Sequence, residues 1–374
     1  MTPPVRQLVT LDVPQGAAME SQSGLQMGRP RIYGALAGPP GADRGVIIMH
    51  PASNFMGHYL IDPLAERNLK VLALNSRYVN NDTTLIMERV IQDLGAGVRH
   101  LREQGVEHLV LIGNSGGAGL ACFYQAQAEN LTISDTPAGD PVALSPQQLP
   151  PVDGIALAAA HPGRSELLTS WLDSSVTDEG DVLATDAEWD IYHPDRTLPF
   201  PSWFVTAVRE RQRRRNDAIT TRVRRRLATL RSQAGAPKDE PLIVHRTYAD
   251  PRLVDQTIDA NDRAPGGTRG DPRTVNYGPN GLARYNTLTS WLSQWSTESR
   301  AGGPDNLART TVPVLQVEYT ADQSTFPSDV AAWSKAAQGR ETLHRLVGAT
   351  HYLKGQDRLL EELCDCLSAW VFDL

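Results

Sequence analysis

Cysteine is scarce in this chain: three residues, Cys122, Cys364 and Cys366, among 374. Three cysteines cannot build a disulfide framework. A chain of this length buries roughly three-quarters of its unfolded surface, so it needs neither disulfides nor a structural metal to hold a core. Cys364 and Cys366 fall two apart in what reads as the last helix and point to different faces, which argues against a shared metal. No run reaches the ~18 apolar residues of a membrane span. The opening MTPPVRQLVTLDVPQG has no apolar signal-peptide core. These absences point to a reducing cytoplasm and no membrane partner. Only four of the 36 basic residues are lysines (Lys70, Lys238, Lys335, Lys354), a bias that genome base composition alone can produce. The net charge of −7 gives the whole molecule no bulk attraction for nucleic acid.

What is present is ordinary for a globular protein, 40% hydrophobic and 21% charged residues, which excludes a disordered or fibrous chain. Short continuous apolar runs read as strands buried on both faces, as in a parallel sheet. VIIMH (46–50), VLALN (71–75), LVLIG (109–113) and IALAAA (155–160) are the clearest, and 8–13, 31–36, 312–319 and 342–347 complete a set of eight. Helical patterns lie between them. Asp82 is a candidate cap for a helix to about Gln104, and further helices are expected over Gly117–Asn130, Asp329–Gln338 and Gln356–Leu374. Strand and helix alternate over 45–164 and again from 312, so the expected class is α/β with a mostly parallel eight-stranded sheet flanked by helices. The stretch between breaks the pattern and is too long for a loop. It holds five of the seven tryptophans and reads as a mainly helical insertion. The expected organisation is a core over 1–164 and 310–374 with an inserted cap over 165–309. Residues 132–151, rich in Pro, Ser and Thr, read as an exposed excursion.

The strongest local signal is LVLIGNSGGAGL (109–120), in which Gly113-Asn114-Ser115-Gly116-Gly117 matches G-x-S-x-G between a strand and a helix. Such a turn lifts the Ser115 hydroxyl above the sheet on strained backbone, and the Gly116 N–H faces the oxyanion formed when the serine attacks a carbonyl. A phosphate-binding turn is the competing interpretation, but neither G-K-[ST] nor a full G-x-G-x-x-G occurs there. Of nine histidines, His351 in VGATHY (347–352) follows the last expected strand and reaches the same sheet edge, which makes it the candidate base. Asp322 directly follows VPVLQVEY (312–319) and is the candidate orienting acid; Asp329, in Pro327-Ser328-Asp329, better fits a helix start. The second oxyanion N–H is expected from the loop 50–58. Pro51 has none, so Ala52 is favoured, or Ser53 if the loop turns later.

These residues resemble the α/β-hydrolase superfamily with an inserted cap: the chain order Ser115, Asp322, His351 is that superfamily's order. The resemblance covers about 30–164 and 310–374. One departure is His50-Pro51 where the superfamily usually has His-Gly. The resemblance implies a cofactor-free hydrolase of an ester, thioester, amide or activated C–C bond, using an acyl-enzyme and no metal. The alternatives are a C–C bond hydrolase of a diketone-type substrate with the same residues, and a non-catalytic small-molecule receptor on the same fold. His50, Ser53, Asn54, Trp203 and Trp291 are candidate substrate contacts, and the aromatic content of 165–309 suggests an enclosed, largely apolar pocket for a compact small molecule.

Ten arginines crowd into 209–231. Ile219, Val223, Leu227 and Leu230 recur there at helical spacing, which favours an amphipathic helix with a solvated basic face over a nucleic-acid site. The acidic stretch 178–190 is a natural counterpart, within the insertion or across an interface of a homo-oligomer formed through the cap.

Overall fold

The computed structural model describes residues 5–14 and 30–374. Ten strands and ten α-helices follow in chain order: β1 (Gln7–Asp12), β2 (Arg31–Ala37), β3 (Arg44–His50), α1 (Ile61–Glu66), β4 (Lys70–Asn75), α2 (Met87–Glu103), β5 (His108–Asn114), α3 (Gly117–Glu129), β6 (Gly154–Ala158), α4 (Arg164–Trp171), α5 (Ser202–Ser232), β7 (Pro241–Ile243), α6 (Pro272–Tyr277), β8 (Tyr285–Thr287), α7 (Leu288–Gln294), α8 (Gly303–Leu307), β9 (Val314–Tyr319), α9 (Pro327–Ala337), β10 (Glu341–Leu346) and α10 (Asp357–Asp373). Eight strands form one sheet in the order β1-β2-β4-β3-β5-β6-β9-β10. The strands from β4 to β10 pair parallel, while β2 runs antiparallel to both β1 and β4.

The continuous apolar runs are explained by what covers each face. Alternate residues of β3 separate cleanly: Ile47 and Met49 join Leu72, Leu111 and Leu157 beneath α2 and α3, whereas Val46 and Ile48 join Val71, Val110 and Ala156 beneath α1 and α10. Both faces are therefore dry, and each aliphatic side chain contributes roughly 1.5–3 kcal/mol by leaving water.

Between β6 and β9 the chain runs through α4 to α8 and a two-stranded antiparallel sheet, β7 with β8, that periodicity did not reveal. Helix α5 has neither glycine nor proline in its 31 residues, so nothing interrupts it. Its stripe of Ile219, Val223, Leu227 and Leu230 packs on Leu168 of α4 and on Trp291 and Leu292 of α7. The arginines around that stripe are mostly paired within the chain: Arg209 with Asp250, Arg215 with Glu179, Arg224 with Glu298, Arg226 with Glu240 and Arg231 with Asp140. Only Glu179 of the acidic stretch takes part; Arg211 instead stacks on Trp189.

Two local expectations are corrected. Asp82 does not cap α2, which starts at Met87 after Ile86; its carboxylate pairs with Arg164 and its carbonyl accepts from Gln294. Residues 132–151 are not simply exposed, because Ala138 packs into the α5–α7 core and Arg231 holds Asp140. Among the described residues, no helix is long and apolar enough to cross a membrane.

Candidate active site

Strand β5 ends at Asn114 and α3 begins at Gly117, so the chain must reverse across two residues. Ser115 sits at that bend with φ of 55°, a left-handed conformation that costs an L-residue of order 1–3 kcal/mol. The flanking glycines are sterically required. A Cβ on Gly113 would lie 2.6 Å from the Ala118 Cα, and one on Gly117 would lie 2.4 Å from the Met49 carbonyl oxygen. Asn114 braces the bend: its amide donates to the Ala158 carbonyl at 3.1 Å, and its Oδ1 is 3.2 Å from His58 Nε2. Burial pushes His58 down to about 4, against the pull of that Asn114 contact, so the ring stays neutral near pH 7.

The loops after β9 and β10 are tied together. Ala321 N–H donates to the Ala349 carbonyl, and Gly348 N–H donates to the Thr320 hydroxyl. This brings Asp322 beneath His351. His351 Nδ1 lies 2.7 Å from Asp322 Oδ2, and His351 Nε2 lies 3.0 Å from the Ser115 Oγ. With the ring proton on Nδ1 toward the carboxylate, the Nε2 lone pair is left for the serine hydroxyl. Asp322 is fully buried and accepts further bonds from the Thr325 hydroxyl at 2.7 Å and the Ser324 N–H at 2.7 Å. Burial alone would push its carboxyl up, but the His351 charge and these donors outweigh it and hold it below its ordinary value. Asp329 is elsewhere employed: its carboxylate accepts the Phe326 N–H at 3.0 Å and caps α9, and burial pushes it up to about 6.

The sheet order, its antiparallel second strand and the serine at the turn after β5 decide the architecture. This is the α/β-hydrolase fold. Chains of similar fold include the esterase domain of a Rhodothermus marinus protein (13% identical, spanning 98% of this chain and 97% of that one, TM-score 0.47). Others are a peroxisomal alpha-beta-hydrolase of Saccharomyces cerevisiae (11%, 100% and 91%, TM-score 0.47) and a monoacylglycerol lipase of Paleococcus ferrophilus (14%, 91% and 98%, TM-score 0.44). Likenesses this loose say nothing of activity. No protein-family model matches the chain, and no curated protein matches its sequence.

Ser115 opens into a cavity of about 660 Å³ at the carboxyl end of the α/β-hydrolase sheet, where such folds place ligands. Of the candidate substrate contacts, His50, Ser53 and Asn54 line it. Trp203 and Trp291 do not. Trp203 projects from α5 with 63% of its surface exposed. Trp291 is fully buried in the α5–α7 core, its indole N–H donating to the Thr220 hydroxyl. The tryptophans at the wall are Trp171 and Trp295. The expectation of a largely apolar pocket is also corrected: Arg164, Arg269, Asp82, Asn80, Asn81 and Asn280 line it beside Phe55, Leu167 and Leu282. Arg164 is buried, stacked over Trp295 and paired with Asp82.

Sequence reasoning missed His161. It follows β6, its ring lies 5.4 Å from that of His351, and its Nε2 is 3.3 Å from the Ser324 hydroxyl. Burial, with the nearby His351, pushes it down to about 3. Its only signal was a histidine directly after the alanine-rich run IALAAA. The Ala52 expectation is corrected as well. Ala52 N–H donates to His50 Nδ1 at 3.0 Å and Ser53 N–H to the same atom at 2.8 Å, so neither amide is free for an oxyanion. The Gly116 N–H makes no hydrogen bond among the described residues. No group of three or more His, Cys, Asp or Glu that could hold a metal occurs among them either.

Proposed function

We propose that the protein is a serine hydrolase that cleaves an ester-like bond of a small substrate through an acyl-enzyme. The observation that carries this reading is the hydrogen-bonded chain from Ser115 through His351 to Asp322, ending at a strained turn on a cavity. In the first half-reaction the Ser115 oxygen attacks the carbonyl carbon as its proton passes to His351 Nε2. Asp322 keeps the ring in the tautomer that accepts this proton and stabilises the imidazolium. The negative oxygen of the tetrahedral intermediate is held by the Gly116 N–H. His351 then returns the proton to the departing alkoxide, leaving the acyl group on Ser115. A water, deprotonated by the same nitrogen, repeats the cycle and frees the acid.

Residues 165–309 act as the cap that closes the cavity over Ser115. The wall chemistry selects a substrate with two characters. An aromatic or alicyclic part rests on Phe55, Leu167 and Leu282, and a hydrogen-bonding or anionic part faces Arg269 and the asparagines. A panel of nitrophenyl and naphthyl esters with varied acyl groups tests this. Small acyl groups carrying a polar or carboxylate function are turned over fastest, and Ser115→Ala abolishes turnover of all of them. Activity confined to long-chain triglycerides, or turnover surviving in Ser115→Ala, rejects the reading.

A further inference from the structure

The loop after β3 spends the Ala52 and Ser53 amides on its own histidine, so neither joins the Gly116 N–H as the second donor that acyl transfer uses. His50 Nδ1 accepts from both the Ala52 and the Ser53 N–H. A ring nitrogen that accepts two N–H groups carries no proton, so the proton of the neutral ring is on Nε2. That nitrogen faces the nucleophile turn: a Cβ added to Gly116 would lie 2.6 Å from it. Nε2 makes no hydrogen bond among the described residues, and His50 lines the cavity with Ser115 and Gly116.

We infer that His50 is a catalytic residue whose side-chain Nε2–H is the second oxyanion donor, acting beside the Gly116 N–H in place of a loop amide. The assignment rests on the serine-hydrolase reading above. It explains three features together. Gly116 has no side chain because the imidazole edge occupies the space a Cβ would take. The replacement of the usual His-Gly by His50-Pro51 is tolerated because the loop's amides serve the histidine rather than the substrate. The ring is held as a hydrogen-bond donor without becoming a cation: burial, then the charge of Arg164 with smaller contributions from His161, Arg269 and His351, keeps its pKa well below the ordinary value. A donor fixed by two backbone bonds also needs no reorganisation when charge develops on the substrate oxygen, the condition under which such donors are most effective.

The test separates oxyanion donation from a merely structural clamp. In His50→Asn the shorter side-chain carbonyl can still accept a loop amide, but no donor reaches the position of Nε2. The expected result is a kcat lower by about 10²- to 10³-fold with KM and Tm close to wild type. A trifluoromethyl ketone, which forms a tetrahedral oxyanion adduct on the serine, should lose affinity by the same factor, while the plain methyl ketone does not. In the wild type, ¹⁵N NMR should find the His50 proton on Nε2 across pH 5–9 and move that proton downfield in the adduct. A proton on Nδ1 overturns the assignment, as does a His50→Asn enzyme with kcat and ketone affinity within threefold of wild type. So does a loss that appears only in KM and Tm. If the wild type forms no ketone adduct on Ser115, serine chemistry itself fails, and the His50 assignment fails with it.

Discussion

Replacing Glu88 by glutamine should stabilise the protein at alkaline pH and hardly change it in acid. Glu88 lies in the first turn of α2 with none of its surface exposed. One carboxylate oxygen accepts the Ser293 hydroxyl of α7 at 2.7 Å, and the other has no partner. Burial pushes the carboxyl from 4.5 up to about 7, with Ser293 and Arg300 opposing too weakly to prevent it. A raised carboxyl pKa means that the folded state favours the proton. The contribution is therefore fully present below about pH 4.5 and is lost as pH rises through about 7. The loss between pH 4.5 and pH 8 amounts to about 3 kcal/mol, from ~1.4 kcal/mol for each pKa unit. Glutamine reproduces the shape and hydrogen bonding of the protonated acid and does not titrate. Comparing Glu88→Gln with wild type at the same pH cancels the other groups. At pH 4.5 the two should melt together; at pH 8 the variant should be more stable by about 3 kcal/mol, some 4 °C in Tm for a chain of this length. Calorimetry or urea titration at both values measures it. A stability difference that is the same at both pH values refutes the reasoning.

Asp322→Asn should lower kcat by about 10³- to 10⁴-fold, because the ring loses its fixed tautomer; Asp329→Asn, which weakens a helix cap, should cost about 1 kcal/mol of stability and leave kcat within a few-fold. Trp203→Ala should change neither KM nor Tm, whereas Trp291→Ala, and Trp171→Ala and Trp295→Ala, which are equally buried but border the cavity, should lower Tm through core cavities worth about 3–5 kcal/mol, and the latter two should raise KM as well. The α5 arginines should show no sequence-selective DNA or RNA binding tighter than about 10⁻⁶ M at physiological salt; submicromolar selective binding contradicts the view of them as intramolecular partners.

The sheet and the meeting of Ser115, Asp322 and His351 were legible because each rests on local sequence. VIIMH and LVLIG announce strands buried on both faces; Ser115 and Asp322 follow such buried runs, and His351 follows the edge strand β10, so a parallel sheet delivers all three to one edge. The strain at Ser115 was legible from the glycines around it. The cavity wall was not. Asn80, Asp82, Arg164 and Arg269 come from three separate segments, which meet only in the folded structure. Aromatic content pointed to tryptophans but could not distinguish Trp291, whose indole satisfies Thr220 inside the core, from Trp171 and Trp295 at the wall. Asp82 has the chemistry of a helix cap, and Arg164, 82 residues away, takes it instead. The spending of the Ala52 and Ser53 amides on His50 is a three-dimensional event of the same kind, since a loop's hydrogen bonds cannot be read from its composition.

Intact-mass analysis after treatment with a fluorophosphonate tests the central claim most directly. Ser115 made nucleophilic by His351 should gain one phosphonyl group at neutral pH, located by peptide mapping to residues around 115. Ser115→Ala should gain none, and His351→Ala should react at least a hundredfold more slowly. A wild-type protein that stays unmodified, or one labelled at another residue with Ser115→Ala labelled equally, would contradict the account.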